Sequence, residues 1–180
     1  MSYKPWRAAG ALLLLLLMLS LTSCGIAAFS FTQESDVIEI EGQGSSLLGL
    51  GSLFPTTIPL TVNLAQELEA QDATGASAVY LTGVRFELED DSQAPDFDFI
   101  DAVTINIASA QSGSELPEVD LAWRDPAPEG AGSFELEVAE GIDLKPYIEE
   151  GMRLNSAASG SAPDDDARFR VFAEFRVEVF

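Results

Sequence analysis

Histidine is absent from all 180 residues, and cysteine occurs once, as Cys24. Without histidine the chain lacks the usual general base, the usual activator of a hydroxyl or thiol nucleophile, and a favoured zinc ligand. A Ser-His-Asp or Cys-His site is therefore excluded. One cysteine also excludes thiolate metal sites, redox pairs and any intramolecular disulfide. Basic residues are scarce too, with 9 Lys+Arg against 30 Asp+Glu. Phosphate binding depends on clustered Lys and Arg, so no nucleic-acid partner is expected. Beyond the first few residues the only lysine is Lys145, so a serine-lysine pair would have to use it. It stands beside Pro146 in a short helical piece, where a solvated charge is the simpler role. Gly42-Gln43-Gly44 and Gly49-Leu50-Gly51 lack the Lys-Ser/Thr that completes a phosphate loop, and no cofactor is expected.

Long apolar runs are limited to one. Lys4 and Arg7 precede a stretch from Ala8 to Leu19 that has no charge and no hydrogen-bonding side chain. Crossing a bilayer takes roughly 20 predominantly apolar residues, and Ser20, Thr22 and Ser23 intervene first, so the run suits a signal peptide. It ends in Leu21-Thr22-Ser23-Cys24-Gly25, which resembles the lipobox of bacterial lipoproteins: an aliphatic residue, two small residues, then cysteine. The resemblance implies diacylglycerol on the Cys24 thiol, cleavage just before it, and often acylation of the new amine. It covers only about the first 25 residues. An ordinary secretory signal with an incidental cysteine is the alternative. Each buried CH₂ of an acyl chain contributes about 0.8 kcal/mol, so two or three chains would tether the product firmly to a membrane. In Gram-negative lipoproteins an aspartate after the cysteine commonly directs retention in the inner membrane. Gly25 in that place leans towards the outer membrane.

Residues 1–23 are thus expected to be removed, 24–34 to form a lipidated N-terminus that is tether or first strand, and 35–180 to form one domain. Removal of Lys4 and Arg7 leaves 7 basic against 30 acidic residues, a formal charge of −23. Acidic chains often stay disordered, but here the acids alternate with apolar residues. Ile38 and Ile40 oppose Glu39 and Glu41, and Phe134, Leu136 and Val138 oppose Glu135 and Glu137. At the C-terminus Phe169, Val171, Ala173, Phe175, Val177 and Val179 oppose a mostly charged face that includes Arg168, Arg170, Glu174, Arg176 and Glu178. A period of two marks half-buried strands. Further strands are expected over Ile26–Thr32, Thr56–Leu64, Ala78–Glu89, Asp98–Ser109 and Leu116–Arg124, giving about eight. Short helices are expected over Leu64–Gln71, capped by Asn63 with Gln66 in a capping box, and over Leu144–Glu150, capped by Asp143 and stopped by Gly151. Ser109–Ser114, Asp125–Gly132 and Ser156–Asp166 read as loops. The fold class is all-β, an antiparallel β-sandwich, immunoglobulin-like or related, with a small barrel as the alternative.

Candidate sites are few. Asp90, Asp91, Asp96, Asp98 and Asp101 around one strand-loop-strand junction, and Asp164 to Asp166 in a late loop, are calcium candidates, since calcium takes six to eight oxygens. Glycine is missing where an EF-hand loop would need it, and solvated loop charge explains the acids as well. Ser45–Phe54 combines glycines with Leu47, Leu48, Leu50, Leu53 and Phe54. It suits an apolar contact loop or, more simply, a cover over one end of the sandwich. The C-terminal Phe180 resembles the ending of outer-membrane barrel proteins, yet its face carries Glu178, Arg176 and Glu174, unlike a lipid-facing strand. The expected role is a lipid-anchored, non-catalytic envelope domain that binds or positions an envelope partner. Two alternatives are a carrier of a small apolar or lipid ligand, and a carboxylate-dependent hydrolase of envelope glycans, which needs two acids across a cleft.

Overall fold

The computed structural model describes residues 27–43, 64–70 and 75–179. Cys24, the signal segment, the Ser45–Phe54 loop, the expected strand from Thr56 and the Asn63 cap lie outside these residues.

The alternating C-terminal run forms β9 (Ala167–Val179), with Phe169, Val171, Phe175 and Val177 buried and the charged residues outward. Its apolar edge-to-edge length lets it serve as the spine of the first sheet, sheet A. β1 (Ala27–Glu34) and β2 (Ile38–Ile40) pair with successive halves of one edge of β9. β3 (Ala76–Leu88) pairs with the other edge, and β6 (Ser133–Glu135) pairs with β3. Sheet B runs in the order β7 (Glu137–Val138), β5 (Val119–Arg124), β4 (Ile100–Ser109), β8 (Met152–Gly160). Every pairing is antiparallel. The fold is a β-sandwich of two antiparallel sheets with, among the described residues, two short helices, α1 (Leu64–Ala70) and α2 (Lys145–Glu149). The segment 27–34, left open as tether or strand, is β1.

Three readings of the sequence need correction. The alternating run Ser133–Glu140 is two strands rather than one. Leu136 N–H still donates to the Val84 carbonyl of sheet A (2.9 Å), whereas Ala139 N–H donates to Leu121 of sheet B (2.8 Å), so the run crosses between layers and closes one side of the sandwich. Residues 156–160, read as loop, belong to β8. Small side chains there give no alternation of large apolar groups, and the strand exists because β4 supplies a continuous register from Ala102↔Ser159 to Ser109↔Met152. Leu64, read both as the end of a strand and as the start of a helix, is the buried first residue of α1 and no part of a strand.

The helix expected over Leu144–Glu150 is shorter, Lys145–Glu149, and its expected cap is corrected: Leu144 stands at the N-cap without a side-chain hydrogen bond, and Asp143 precedes it. Asp143 Oδ1 accepts from Lys145 N–H and from Val79 N–H, both at 3.0 Å, tying the helix start to β3. Gly151, at φ 76°, takes the left-handed turn that ends it.

Two apolar clusters fill the interlayer space. One is centred on phenylalanines: Phe86 stacks on Phe134 and Phe169 at 5.1 and 5.8 Å, and Phe97 meets Phe134 and Phe169 edge-on at 5.1 and 5.4 Å. The other gathers α1, α2 and the strand ends around Leu64, Val79, Ile107, Leu121, Tyr147 and Val177. Tyr147, almost fully buried, satisfies its hydroxyl on the Pro117 carbonyl at 2.8 Å.

Candidate functional site

The acids singled out for calcium sit on a loop whose conformation is set from below. Ala94, Phe97 and Phe99 are buried, so the connection from β3 to β4 is pinned to the core and its carboxylates face outward. There they do separate jobs. Asp91 pairs with Arg168, Asp96 Oδ1 accepts from Asp98 N–H (3.1 Å), and Asp98 accepts from Gly130 N–H. Asp90 and Asp101 are exposed. In the late loop Asp166 accepts from Gly42 N–H at 2.8 Å. Among the described residues, no group of three or more Asp, Glu, His or Cys comes together to hold a metal ion.

Nor do the acids supply an evident general acid. Glu150 accepts from the Ser114 and Ser109 hydroxyls, which hold its carboxyl below the ordinary glutamate range, opposite to the shift a neutral acid catalyst needs. Between the layers lies an apolar void of about 40 Å³, bordered by Leu64, Leu81, Ile105, Leu121, Leu154 and Phe175. Ligand pockets run from roughly 300 to 1,000 Å³. Gln33 Oε1, at the rim, is buried without a hydrogen-bond partner.

The two outer faces of the sandwich differ in character. On sheet A, Arg168 bridges Glu39 (3.0 Å) and Asp91, and Arg170 bridges Glu34 and Glu89. Bonding to Glu89 raises the Arg170 pKa above its ordinary value, so this side chain stays charged. Farther along, Arg85 pairs with Glu87 and lies 4.4 Å from the Phe172 ring centroid, and Arg176 pairs with Glu178 and lies 5.0 Å from that of Tyr80. An open groove of about 610 Å³ follows these two stacked pairs where the β6–β7 run leaves the sheet. Its arginines already have carboxylate partners, and Glu135, Glu140 and Glu174 share its lining. The face is an ion-paired, solvated surface.

Sheet B is different. A row across it runs Glu137, Trp123, Thr104, Ala157, and the next runs Asp120, Asn106, Asn155. The Asn155 amide donates to Asn106 at 3.0 Å. Trp123 is 37% exposed, the exposed large hydrophobic residue of the described chain. Its direction has a definite cause. In a regular strand Leu121 and Trp123 would share a face. Here Ile105 opposes Ala122 while Asn106 opposes Asp120, so Leu121 is the extra residue of a bulge. Leu121 and Ala122 are both buried, and Trp123 turns outward. Bulges commonly re-aim a side chain in this manner. Sequence reading placed the strand but missed this residue, because a bulge leaves no local mark in a run such as Val119–Arg124.

No protein-family model matches the chain, and no curated protein matches it. Among solved structures, the chain is similar to the decameric BFDV capsid protein, with TM-score 0.40 and 13% identity over 86% of this chain and 99% of that one. It is also similar to a structure of tomato aspermy virus, with TM-score 0.30 and 9% identity over 92% and 93%. Likeness at that level carries no inference about function.

Proposed function

We propose that the processed chain is a lipid-anchored, non-catalytic domain of the cell envelope that binds an envelope component on the outer face of sheet B. The Leu21-Thr22-Ser23-Cys24 motif supports the anchor, and Gly25 favours the outer membrane. The observation that carries the binding role is Trp123, held outward by a bulge on a face otherwise poor in large apolar groups.

Anchoring at Cys24 has a geometric consequence. β1 begins at Ala27, and three residues span at most about 11 Å, so the strand end holding Ala27, Ala76 and Val179 would rest close to the bilayer. Trp123 follows Ala122, which packs in the phenylalanine cluster, whereas Val177 and Ala76 belong to the other cluster. The binding face would therefore lie towards the membrane-distal half.

Neither alternative gains support. A void of about 40 Å³ is far below the volume of an acyl-chain site, and the shift at Glu150 has the wrong sign for an acid catalyst.

The test has two arms. Mass spectrometry of protein from its native host should find a mature N-terminus at Cys24 carrying acyl chains; an unmodified thiol or another N-terminus removes the anchor. Affinity capture from native membranes should recover a component with the wild-type chain and with Cys24→Ala, and lose it with Trp123→Ala. Equal recovery by Trp123→Ala would remove the binding face.

A further inference from the structure

Resting on that reading, we infer that the ligand of the sheet B face is an uncharged polysaccharide chain. The inference starts from the chemistry around Trp123. β4 and β8 present Ala102, Thr104, Asn106, Asn155, Ala157 and Ser159 in the rows around it, all uncharged, with Arg153 beyond Asn155 on the same face of β8. In a domain of net charge −23, the indole thus has hydroxyls and amides on its β4 and β8 side, and Asp120 and Glu137 on the other. A protein interface core needs several large buried apolar or aromatic anchors with pockets to receive them. This face offers one large apolar side chain among small ones, which suits a flat partner that stacks on a ring and hydrogen-bonds around it. Sugar rings have that form: an apolar C–H face for the indole, and hydroxyls for Asn106, Asn155 and Thr104.

Charge narrows the class further. Asp120 and Glu137 flank Trp123 on the β5 and β7 side. Carboxylates accept hydrogen bonds from sugar hydroxyls, but they repel uronic acids, sialic acids and phosphorylated glycans. The row from Glu137 to Ala157 crosses three strand gaps, about 14 Å, so an extended chain of several sugars can lie across it.

The processed chain contains a single tryptophan, because Trp6 lies in the segment removed before Cys24. Its emission thus reports on the proposed site alone. Full-length processed protein in zwitterionic detergent should be titrated with cellohexaose, maltohexaose and chitohexaose, and with an oligomer of galacturonate as the acidic comparison. Saturable change of the Trp123 emission is expected with at least one neutral oligomer and none with galacturonate. Trp123→Ala, assayed by calorimetry, should weaken that binding at least about tenfold, and Trp123→Phe should recover part of it. Circular dichroism checks that both variants fold. Loss of membrane capture in Trp123→Ala without a response to any neutral oligomer would overturn the glycan inference while leaving the binding face in place, with a protein as its occupant. Unchanged capture and no response would overturn both.

Discussion

The two outer faces of this sandwich share one core yet differ in almost every surface property. Sheet A carries four arginines, each paired with one or two carboxylates. Sheet B presents amides, hydroxyls, methyl groups and one tryptophan, with Asp120, Glu137 and Arg153 as its charged members. Ion-paired charges remain solvated and add little stability each, whereas an exposed indole among neutral polar groups gains from being covered. Under the proposed function, sheet A keeps the domain solvated and sheet B is the face for recognition.

The comparison breaks first if either face holds the fold together. Phe97, fully buried between Phe134 and Phe169, should do so instead. Phe97→Ala should cost about 3–5 kcal/mol in urea unfolding, the largest effect of any change considered. A loss no greater than that of the outer-face variants would mean that the phenylalanine cluster is not the stabilising centre.

Arg170→Ala comes next. It removes two bridges and leaves Glu34 and Glu89 without their cation, so a small loss of stability is expected, shrinking in high salt. A salt-independent loss would show that packing of the arginine stem matters more than its charge. Trp123→Ala should change stability by no more than about 0.5 kcal/mol while abolishing capture. A large loss of stability would place the indole in the structural framework and erase the contrast between the faces.

Much of this was legible in the residues. Alternation in β9 fixes its buried face because a period of two has only one solution once half the positions are apolar. Gly151 announces the end of α2 through chemistry confined to a few residues, whereas its N-cap falls one residue beyond the Asp143 that suggested a cap. Long-range pairing was not legible. β8 is a strand because β4 lies beside it, and its run of Asn155, Ser156, Ala157 and Ala158 has no pattern of its own. The division of Ser133–Glu140 between layers depends on Val84 and Leu121 as hydrogen-bond partners, and neither is near in sequence. The same holds for the site: whether Trp123 faces inward or outward depends on how Asp120 and Ala122 register with β4. The calcium candidates were legible as acids, but not as acids already assigned to Arg168, Gly130 and one another.

The smallest expected effect belongs to neither face. Glu150, at the end of α2, has its folded pKa lowered by the Ser114 and Ser109 hydroxyls. A depressed folded pKa adds stability above the unfolded glutamate value, and that stability is lost as pH falls through the folded one. Ser109→Ala combined with Ser114→Ala should therefore lower stability slightly at neutral pH and reduce its decline on acidification. An unchanged acid limb in thermal melts would count against this coupling.

Under the proposed function, an envelope component covers Trp123. Fluorine NMR of processed chain labelled with fluorotryptophan tests it directly, since one resonance is expected from one tryptophan. Addition of unlabelled native envelope material should shift or broaden that resonance, and Thr104→Glu should prevent the change. A resonance that stays put while the chain is demonstrably bound would place recognition elsewhere on the molecule.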